Sequence, residues 1–117
     1  MKANEILVVD DEPNVLAFLA TALTDEGYRT RRAEDGLAAL EEVRRARPNL
    51  VVADVVMPRL DGVGLARSLL MLPDPVPIVL ISGAPSVSPE EGMPFIPKPL
   101  DIDHLFALVA RTLERLP

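Results

Sequence analysis

The chain has 117 residues, about half of them hydrophobic and about a quarter charged, which suits one compact domain over 1–117 and excludes disordered and fibrous classes. It contains no cysteine, so disulfides, thiolate metal sites and thiol catalysis are excluded. The net charge of -6 argues against binding to nucleic acid or to an anionic membrane surface. No apolar run is long enough for a signal-peptide core or a membrane span, so we expect a cytoplasmic protein.

Five short segments are predicted to be strands. The first, third and fourth, at 6–9, 50–53 and 78–81, are continuous aliphatic runs, which is typical of strands buried on both faces. The second, at 28–32, is short and polar. The fifth, at 94–97, contains two prolines, which favours the edge of a sheet.

Apolar residues recur with helical period between and after these strands. The four predicted helices follow Pro13, follow Asp35-Gly36, and cover the segments 63–72 and 102–116. Proline suits the first turn of a helix, and Asp101 or Asp103 could cap the last one.

Strands that alternate with helices need crossover connections, and they predict a parallel sheet covered by helices on both faces. The predicted fold is therefore a doubly wound α/β domain of three layers with five parallel strands. Periodicity does not give the order of the strands in the sheet. The segment 83–92, where a further helix would be expected, contains Pro85 and Pro89 and has room for at most one helical turn.

Polar side chains follow four of the predicted strands. The first strand is followed by Asp10 and Asp11, the third by Asp54, the fourth by Ser82 and the fifth by Lys98. The carboxyl ends of parallel strands meet at one edge of a sheet, where the ligands of open α/β sheets normally bind. We therefore expect these five side chains to lie close together.

Each of these residues also has an ordinary structural interpretation. Asp11 or Glu12 could cap a helix or place a charge at its N-terminus, and Asp54 could begin a turn. Ser82 could belong to a turn with Gly83, and Lys98 could be a solvated residue of an edge strand. The interpretation as a site depends on their joint arrangement.

The expected group contains three carboxylates, which repel one another and therefore need a cation to compensate them. Hard oxygen ligands without histidine or cysteine point to Mg²⁺, which leaves room for a phosphoryl group. Lys98 can neutralise charge on transferring oxygens, Ser82 can donate a hydrogen bond to one of them, and a carboxylate can act as nucleophile. Such an arrangement suits phosphoryl transfer.

The chain resembles the receiver domain of two-component response regulators over nearly its whole length. The motifs that carry the resemblance follow the family's order and nearly its spacing, and they are Asp10-Asp11, Asp54-Val55-Val56-Met57-Pro58, Asp61-Gly62, Ser82 and Lys98-Pro99. The resemblance implies a flavodoxin-like sheet with the strand order 2-1-3-4-5. It also implies that Asp54 is the phosphoacceptor.

The resemblance implies roles for the residues around Asp54. Asp11 and Asp54 would bind Mg²⁺ directly together with the backbone carbonyl of Val56, and Asp10 would help through water. Lys98 would contact the phosphoryl group.

Further positions match those that respond to phosphorylation or control its lifetime in the family. Ser82 would be the switch hydroxyl, and Phe95, three residues before Lys98, would be the switch aromatic, with packing at the sheet edge as its alternative role. Val56 and Ala84 occupy the positions that tune hydrolysis of the acyl phosphate. Neither side chain can orient a water molecule by hydrogen bonding, so we expect no strong self-dephosphorylation.

One spacing departs from the family. Lys98 follows Ser82 by 16 positions, which is shorter than usual, and the loss falls in the segment that contains the prolines. The family's fourth helix is therefore expected to be shortened or missing. Because that helix belongs to the surface that dimers and partners recognise, we expect output through another surface or without the usual dimer.

The resemblance implies a phosphoacceptor signalling switch of a two-component phosphorelay. A sensor histidine kinase or a histidine phosphotransfer protein would donate the phosphoryl group to Asp54, and the altered surface would act on a downstream protein partner. The domain would catalyse only its own phosphorylation and dephosphorylation, so no enzyme acting on other substrates is expected.

Two alternatives belong to other functional classes. One is a phosphorylation-independent pseudo-receiver that acts as a protein-binding module. The other, a small phosphatase or flavin-binding domain of similar architecture, is disfavoured because no second aspartate stands two residues after Asp54 and no Gly-rich phosphate loop follows the first strand.

Overall fold

The computed structural model describes residues 4–83 and 94–114, which form five strands and four helices. In chain order these are β1 (Glu5–Val9), α1 (Pro13–Asp25), β2 (Arg29–Ala33), α2 (Gly36–Arg45), β3 (Leu50–Asp54), α3 (Gly62–Leu70), β4 (Ile78–Ser82), β5 (Phe95–Pro97) and α4 (Ile102–Glu114). Every strand and helix predicted from the sequence occurs, with its ends shifted by no more than a few residues.

The strands form one parallel sheet in the order β2-β1-β3-β4-β5. Alternate side chains of each strand point to opposite faces. On one face, Leu7 of β1 packs in a core cluster with residues of α2 and α3 that include Leu65. On the other face, Ile6 packs with residues of α1 and α4 that include Leu105. The doubly wound three-layer fold and its flavodoxin-like strand order are thereby confirmed.

The aliphatic runs form the centre of the sheet and the polar segments form its edges. All five residues of β3 and of β4 are buried, because helices cover both faces of these strands. At one edge, β2 contributes Arg31, which lies near the carboxylates of Glu5 and Glu42. At the other edge, β5 is only three residues long, and its middle residue Ile96 is buried.

Three of the helices begin at an aspartate that accepts a backbone N–H from the first helical turn. The donor-to-acceptor distances are 2.8 Å for Asp35 before α2, 2.7 Å for Asp61 before α3 and 3.0 Å for Asp101 before α4. Each contact satisfies one of the N–H groups that a helix leaves unpaired at its start. Of the two capping candidates for the last helix, Asp101 is therefore the one used.

The fourth helix of the family would lie between β4 and β5. The expected shortening or loss of the family's fourth helix concerns residues 84–93, which lie outside the described residues, and it stays a prediction. The assignment of 1–117 to a single domain also stays a prediction. Among the helices that the structure describes, none is long and apolar enough to cross a bilayer.

Candidate functional site

The parallel register brings four polar residues to the carboxyl edge of the sheet. Asp10 follows β1, Asp54 ends β3, Ser82 ends β4 and Lys98 follows β5. The strands end level with one another, because Asp54 pairs in register with Ile81 and the neighbouring strands are aligned likewise. These four residues therefore lie at one edge of the sheet, and three of them are buried, with 3% exposure for Asp10, 7% for Asp54 and 3% for Ser82.

Lys98 and Asp54 form the central contact of the site. The Lys98 Nζ donates to Asp54 Oδ2 over 2.9 Å. The backbone of Lys98 is held as well, since its N–H donates to the Ser82 carbonyl at 2.8 Å. The hydrogen bond to Asp54 raises the pKa of the Lys98 amine despite partial burial. The amine is therefore held as an ammonium beside the carboxylate.

The second oxygen of Asp54 is held by the loop that follows the strand. The backbone N–H of Val56 donates to Asp54 Oδ1 over 3.1 Å. Gly62 lies close to the same strand end: its N–H donates to the Val55 carbonyl at 2.8 Å, and a Cβ at Gly62 would lie 2.5 Å from the Asp54 carbonyl oxygen. The Asp61-Gly62 motif is thus explained by a close backbone approach that only glycine allows.

Asp10 is a buried acid that its surroundings make harder to ionise. Burial raises the pKa of its carboxyl, and the negative charges of Asp54 and Asp11 raise it further. The Glu12 N–H, which donates to Asp10 Oδ1 over 2.9 Å, and the Lys98 ammonium oppose this rise. The net shift is upward, so a cation at this edge would stabilise the ionised form.

The remaining predicted metal ligands lie at the rim of the site. Asp11 is exposed and acts on Asp10 through its charge, and Val56 is 61% exposed. In the part of the chain that the structure describes, no three acidic or histidine side chains form a closed metal-binding cluster. Carboxylates and a backbone carbonyl at a wet rim nevertheless suit Mg²⁺, which takes one or two carboxylates and keeps several waters. The donor set therefore fits this ion.

The predicted switch residues are placed as follows. Ser82 is buried at the end of β4, and Phe95 is partly exposed at the start of the edge strand β5, in register with Leu80. Ala84 lies outside the described residues. The switch and tuning roles of these residues, and those of the metal ligands, stay predictions.

A groove of about 360 Å³ adjoins the site on the side of α1. It is lined by Asp10, Phe18, Lys98 and Leu100 among others. Phe18 is 55% exposed, so an aromatic ring lies open to solvent beside the buried acid. Phe18 was not predicted to lie beside the site, because a phenylalanine within a helical apolar pattern is ordinarily part of the core.

A second feature that was not predicted from the sequence is the ion pair between Asp35 and Arg59. The pattern assigned Asp35 only to the start of a helix, and nothing in the sequence around Arg59 signals a pairing across 24 positions. The pair joins the loop after Asp54 to the N-terminus of α2.

The fold and the acidic edge with its lysine define the class of the protein: a flavodoxin-like α/β domain whose polar residues converge at the carboxyl ends of its strands. Residues 6–110 match the family model of the response regulator receiver domain. Because this match covers most of the chain, the chain belongs to that family, whose members act in two-component signalling.

Individual relatives agree with this assignment. The structure is similar to the crystal structure of the signal receiver domain of a signal transduction histidine kinase from Syntrophus aciditrophicus, with a TM-score of 0.87 and 33% identity over 98% of this chain and 96% of that one. The sequence is 38% identical to the nitrogen assimilation regulatory protein NtrX of Azorhizobium caulinodans, over 97% of this chain and 27% of that protein. It is 39% identical to the response regulator MprA of Mycobacterium leprae, over 94% of this chain and 51% of that protein. The chain thus spans about a quarter and about half of these two curated relatives.

Proposed function

We propose that this domain accepts a phosphoryl group on Asp54 from a histidine kinase or a histidine phosphotransfer protein, with Mg²⁺ bound, and then presents an altered surface to a downstream protein. One observation carries the proposal. The Lys98 ammonium lies 2.9 Å from Asp54 Oδ2 at the carboxyl edge of the sheet, beside the buried acid Asp10. Family membership supports the same function.

In the proposed reaction, a carboxylate oxygen of Asp54 attacks the phosphorus of a phosphohistidine. A new O–P bond forms, the P–N bond breaks, and its electron pair stays on the imidazole nitrogen. Lys98 neutralises part of the negative charge on the phosphoryl oxygens, which is the main task in phosphoryl transfer. The product is an acyl phosphate on Asp54, so the domain acts on itself and not on a released substrate.

The acids around Asp54 are proposed to hold Mg²⁺. Asp11, Asp54 and the Val56 carbonyl would ligate the ion directly, and Asp10 would support it through water. The bound ion would neutralise charge that gathers on the carboxylates and on the phosphoryl oxygens. The raised pKa of Asp10 supports this assignment, since burial and neighbouring acids disfavour its anion in the absence of a cation.

Ser82 and Phe95 are proposed to transmit the change. The Ser82 hydroxyl would donate a hydrogen bond to a phosphoryl oxygen, and Phe95 would move at the edge strand β5. Because Phe95 is only partly buried, its displacement would change the surface there. Output is proposed to use a surface other than the usual helical one, for which the short spacing between Ser82 and Lys98 is the reason.

Slow loss of the phosphoryl group is the expected kinetic behaviour. Val56 and Ala84 have apolar side chains that cannot hold an attacking water by hydrogen bonding. A phosphorylated form that decays within seconds, without a phosphatase, would contradict this expectation.

The decisive experiment is the intact mass of the protein after incubation with Mg²⁺ and a small phosphodonor, with Asp54→Asn as the matched control. A gain of one phosphoryl group by the wild type alone is the expected result. No gain with the small donor or with candidate histidine kinases would overturn the proposal in favour of the phosphorylation-independent binding module.

A further inference from the structure

The loop between β3 and α3, residues 55–61, begins directly after Asp54 and includes Val56. The conformation of this loop decides where the Val56 carbonyl lies relative to the acids at the sheet edge. At its start the loop is tied to β3 by the hydrogen bond from the Val56 N–H to Asp54 Oδ1, and at its end by the one from Gly62 to Val55. The outer part of the loop, residues 57–60, lies between these two hydrogen bonds and needs other contacts to hold it.

The outer part of the loop is joined to the N-terminus of α2 by two parallel hydrogen bonds. Arg59 Nε donates to Asp35 Oδ2 and Arg59 Nη2 donates to Asp35 Oδ1, each over 2.9 Å. The same Asp35 carboxylate accepts the Ala38 N–H at 2.8 Å as the cap of α2. A bidentate arginine–carboxylate pair fixes orientation as well as distance, and here its acceptor is anchored to a helix.

The backbone of Arg59 indicates that this contact is imposed on the loop. Its φ of 68° lies in the left-handed region, which a side chain other than glycine seldom adopts. Such conformations persist where surrounding contacts hold them, and they cluster at functional sites. The next residue closes the turn, since the Leu60 N–H donates to the Pro58 carbonyl at 2.8 Å.

A second contact lies directly beside the ion pair. A Cβ at Gly36 would be 2.2 Å from the Leu60 carbonyl oxygen and 2.7 Å from the Leu60 Cβ, so the loop backbone packs onto the first residue of α2. The side chain of Leu60 is partly buried against the core cluster that includes Leu65. The outer loop is thus held at two adjacent points of one rigid helix.

We propose that Arg59 and Asp35 form a positioning clamp that holds residues 55–61 in the conformation in which the Val56 carbonyl ligates a divalent cation. Neither residue is among the proposed ligands of the ion or the proposed contacts of the phosphoryl group. The proposal deepens the function proposed above and rests on it for the identity of the ligand. Whether Arg59 and Asp35 hold the loop can be tested without phosphorylation.

An ordinary exposed ion pair contributes little, and the same chain contains one for comparison. Arg45 donates to the two carboxylate oxygens of Glu42 over 3.2 Å and 2.9 Å within α2. That pair joins two residues of one helix turn and spans no loop. Arg45→Gln is therefore the matched control for Arg59→Gln, because both changes remove one guanidinium from a surface carboxylate.

The test measures two properties of the unphosphorylated full chain: the affinity for Mg²⁺ alone by calorimetric titration, and the exchange rates of the Leu60 and Gly62 amide protons. In Arg59→Gln we expect Mg²⁺ binding to weaken roughly tenfold, as when a group supporting a metal ligand is removed, and both amide protons to exchange faster. Arg59→Lys, which restores the charge with one contact, should recover part of the affinity. Arg45→Gln should match the wild type in both properties.

A pair that acts as one unit also gives a non-additive result. Asp35→Asn keeps an oxygen for the Ala38 N–H and removes the charge that faces Arg59. The double variant Asp35→Asn/Arg59→Gln should bind Mg²⁺ as weakly as Arg59→Gln and no more weakly. If Arg59→Gln unfolds because of the left-handed backbone at this position, the variant Arg59→Gly takes its place in every measurement. Glycine adopts this backbone without strain, and it lacks the guanidinium as well.

The outcomes separate the two proposals. Unchanged amide exchange and unchanged Mg²⁺ affinity in the Arg59 variants, or additive losses in the double variant, would overturn the clamp while leaving Asp54 as phosphoacceptor. A wild type that binds no Mg²⁺ and gains no phosphoryl group would overturn the proposed function and the cation half of this inference. The exchange rates would then still decide whether Arg59 holds the loop.

Discussion

Lys98 and Asp54 stand 44 positions apart in the chain, yet their Nζ and Oδ2 atoms are 2.9 Å apart at the carboxyl edge of the sheet. The pair joins the last residue of the central strand β3 to the residue after the edge strand β5. The carboxylate that we propose as nucleophile is therefore already neutralised by a cation before any phosphoryl group arrives.

Replacement of this lysine should change two properties in opposite directions. In Lys98→Met, phosphorylation of Asp54 by a small donor should slow roughly 10²-fold, because the ammonium no longer stabilises the transferring oxygens. Mg²⁺ affinity should rise, because a positive charge has been removed from beside Asp10 and Asp54. Time-resolved intact mass and calorimetric titration measure the two effects. Arg111→Met, on an exposed position of α4, is the control and should alter neither.

Neutralising Asp10 should stabilise the metal-free protein. Asn at this position can still accept the Glu12 N–H, and it removes a buried charge that faces Asp54 and Asp11. We expect Asp10→Asn to raise the free energy of unfolding at pH 7 by about 1 kcal/mol, the usual size of a single stabilising change, measured by urea unfolding without Mg²⁺. Asp54→Asn is the less direct test of the same repulsion, because it also breaks the pair with Lys98.

The pH dependence of that difference follows from the raised pKa of Asp10. The folded state binds the Asp10 proton more tightly than the unfolded state, so protonation of Asp10 favours folding. This stabilisation of the folded state by protonated Asp10 is fully present below the ordinary pKa of 3.8, and it is lost as the pH rises through the folded-state pKa. The advantage of Asp10→Asn should therefore shrink as the pH is lowered towards 3.8 and vanish below it. An advantage that persists in acid would show that it has another cause.

The close approach at Gly36 predicts a large cost for one methyl group. Ala at this position places a Cβ 2.2 Å from the Leu60 carbonyl oxygen, so the loop must shift. We expect Gly36→Ala to lower the free energy of unfolding by about 3 kcal/mol. Gly27→Ala is the matched comparison, because a Cβ at Gly27 meets nothing within 4 Å. The only expected cost is the strain of an alanine at the left-handed φ of 102°, which should lower the free energy of unfolding by about 1 kcal/mol. Equal losses in the two variants would contradict the packing argument.

The cap of α4 gives a test between neighbouring aspartates. Asp101 Oδ1 accepts the N–H groups of Asp103 at 3.0 Å and His104 at 3.2 Å. Asp101→Ala should therefore cost about 1 kcal/mol in thermal or urea unfolding. Asp103→Ala, inside the first turn, removes only a favourable charge near the helix N-terminus, worth about 0.3 kcal/mol. The reverse order of the two losses would mean that the cap is misassigned.

The elements of the fold were predictable because burial on both faces leaves a plain pattern in the sequence. The runs at 50–53 and 78–81 are aliphatic throughout since each strand lies between two layers of helices. The strand order could not be predicted from the pattern in the same way. The period of a strand indicates which face a side chain takes, but it does not indicate which strand lies next to it. That order came from the resemblance and agrees with the structure.

The meeting of Asp54 and Lys98 could also be predicted, since it needs only parallel strands and the rule that their carboxyl ends share an edge. The pair of Asp35 and Arg59 could not. Arginine has no preference for the left-handed backbone that Arg59 adopts, so its conformation depends on contacts with α2 that form only in the folded chain. The exposure of Phe18 was not predicted for a related reason. A helical pattern indicates which face of α1 is apolar, but it does not indicate how much of that face the sheet and the other helices cover.

The three-residue strand β5 differs from the other side of the site in how firmly it is attached. Asp10 follows β1 and Asp54 ends β3, two strands with a neighbour on each side, whereas β5 pairs with β4 alone among the strands that the structure describes. Segments that are held by few contacts open locally at a lower free-energy cost than the centre of a fold. Such fraying would carry the lysine away from three acids that remain in place, and the edge would for that moment hold more uncompensated negative charge. The electrostatic balance of this site therefore depends on how firmly a three-residue edge strand stays attached to the sheet.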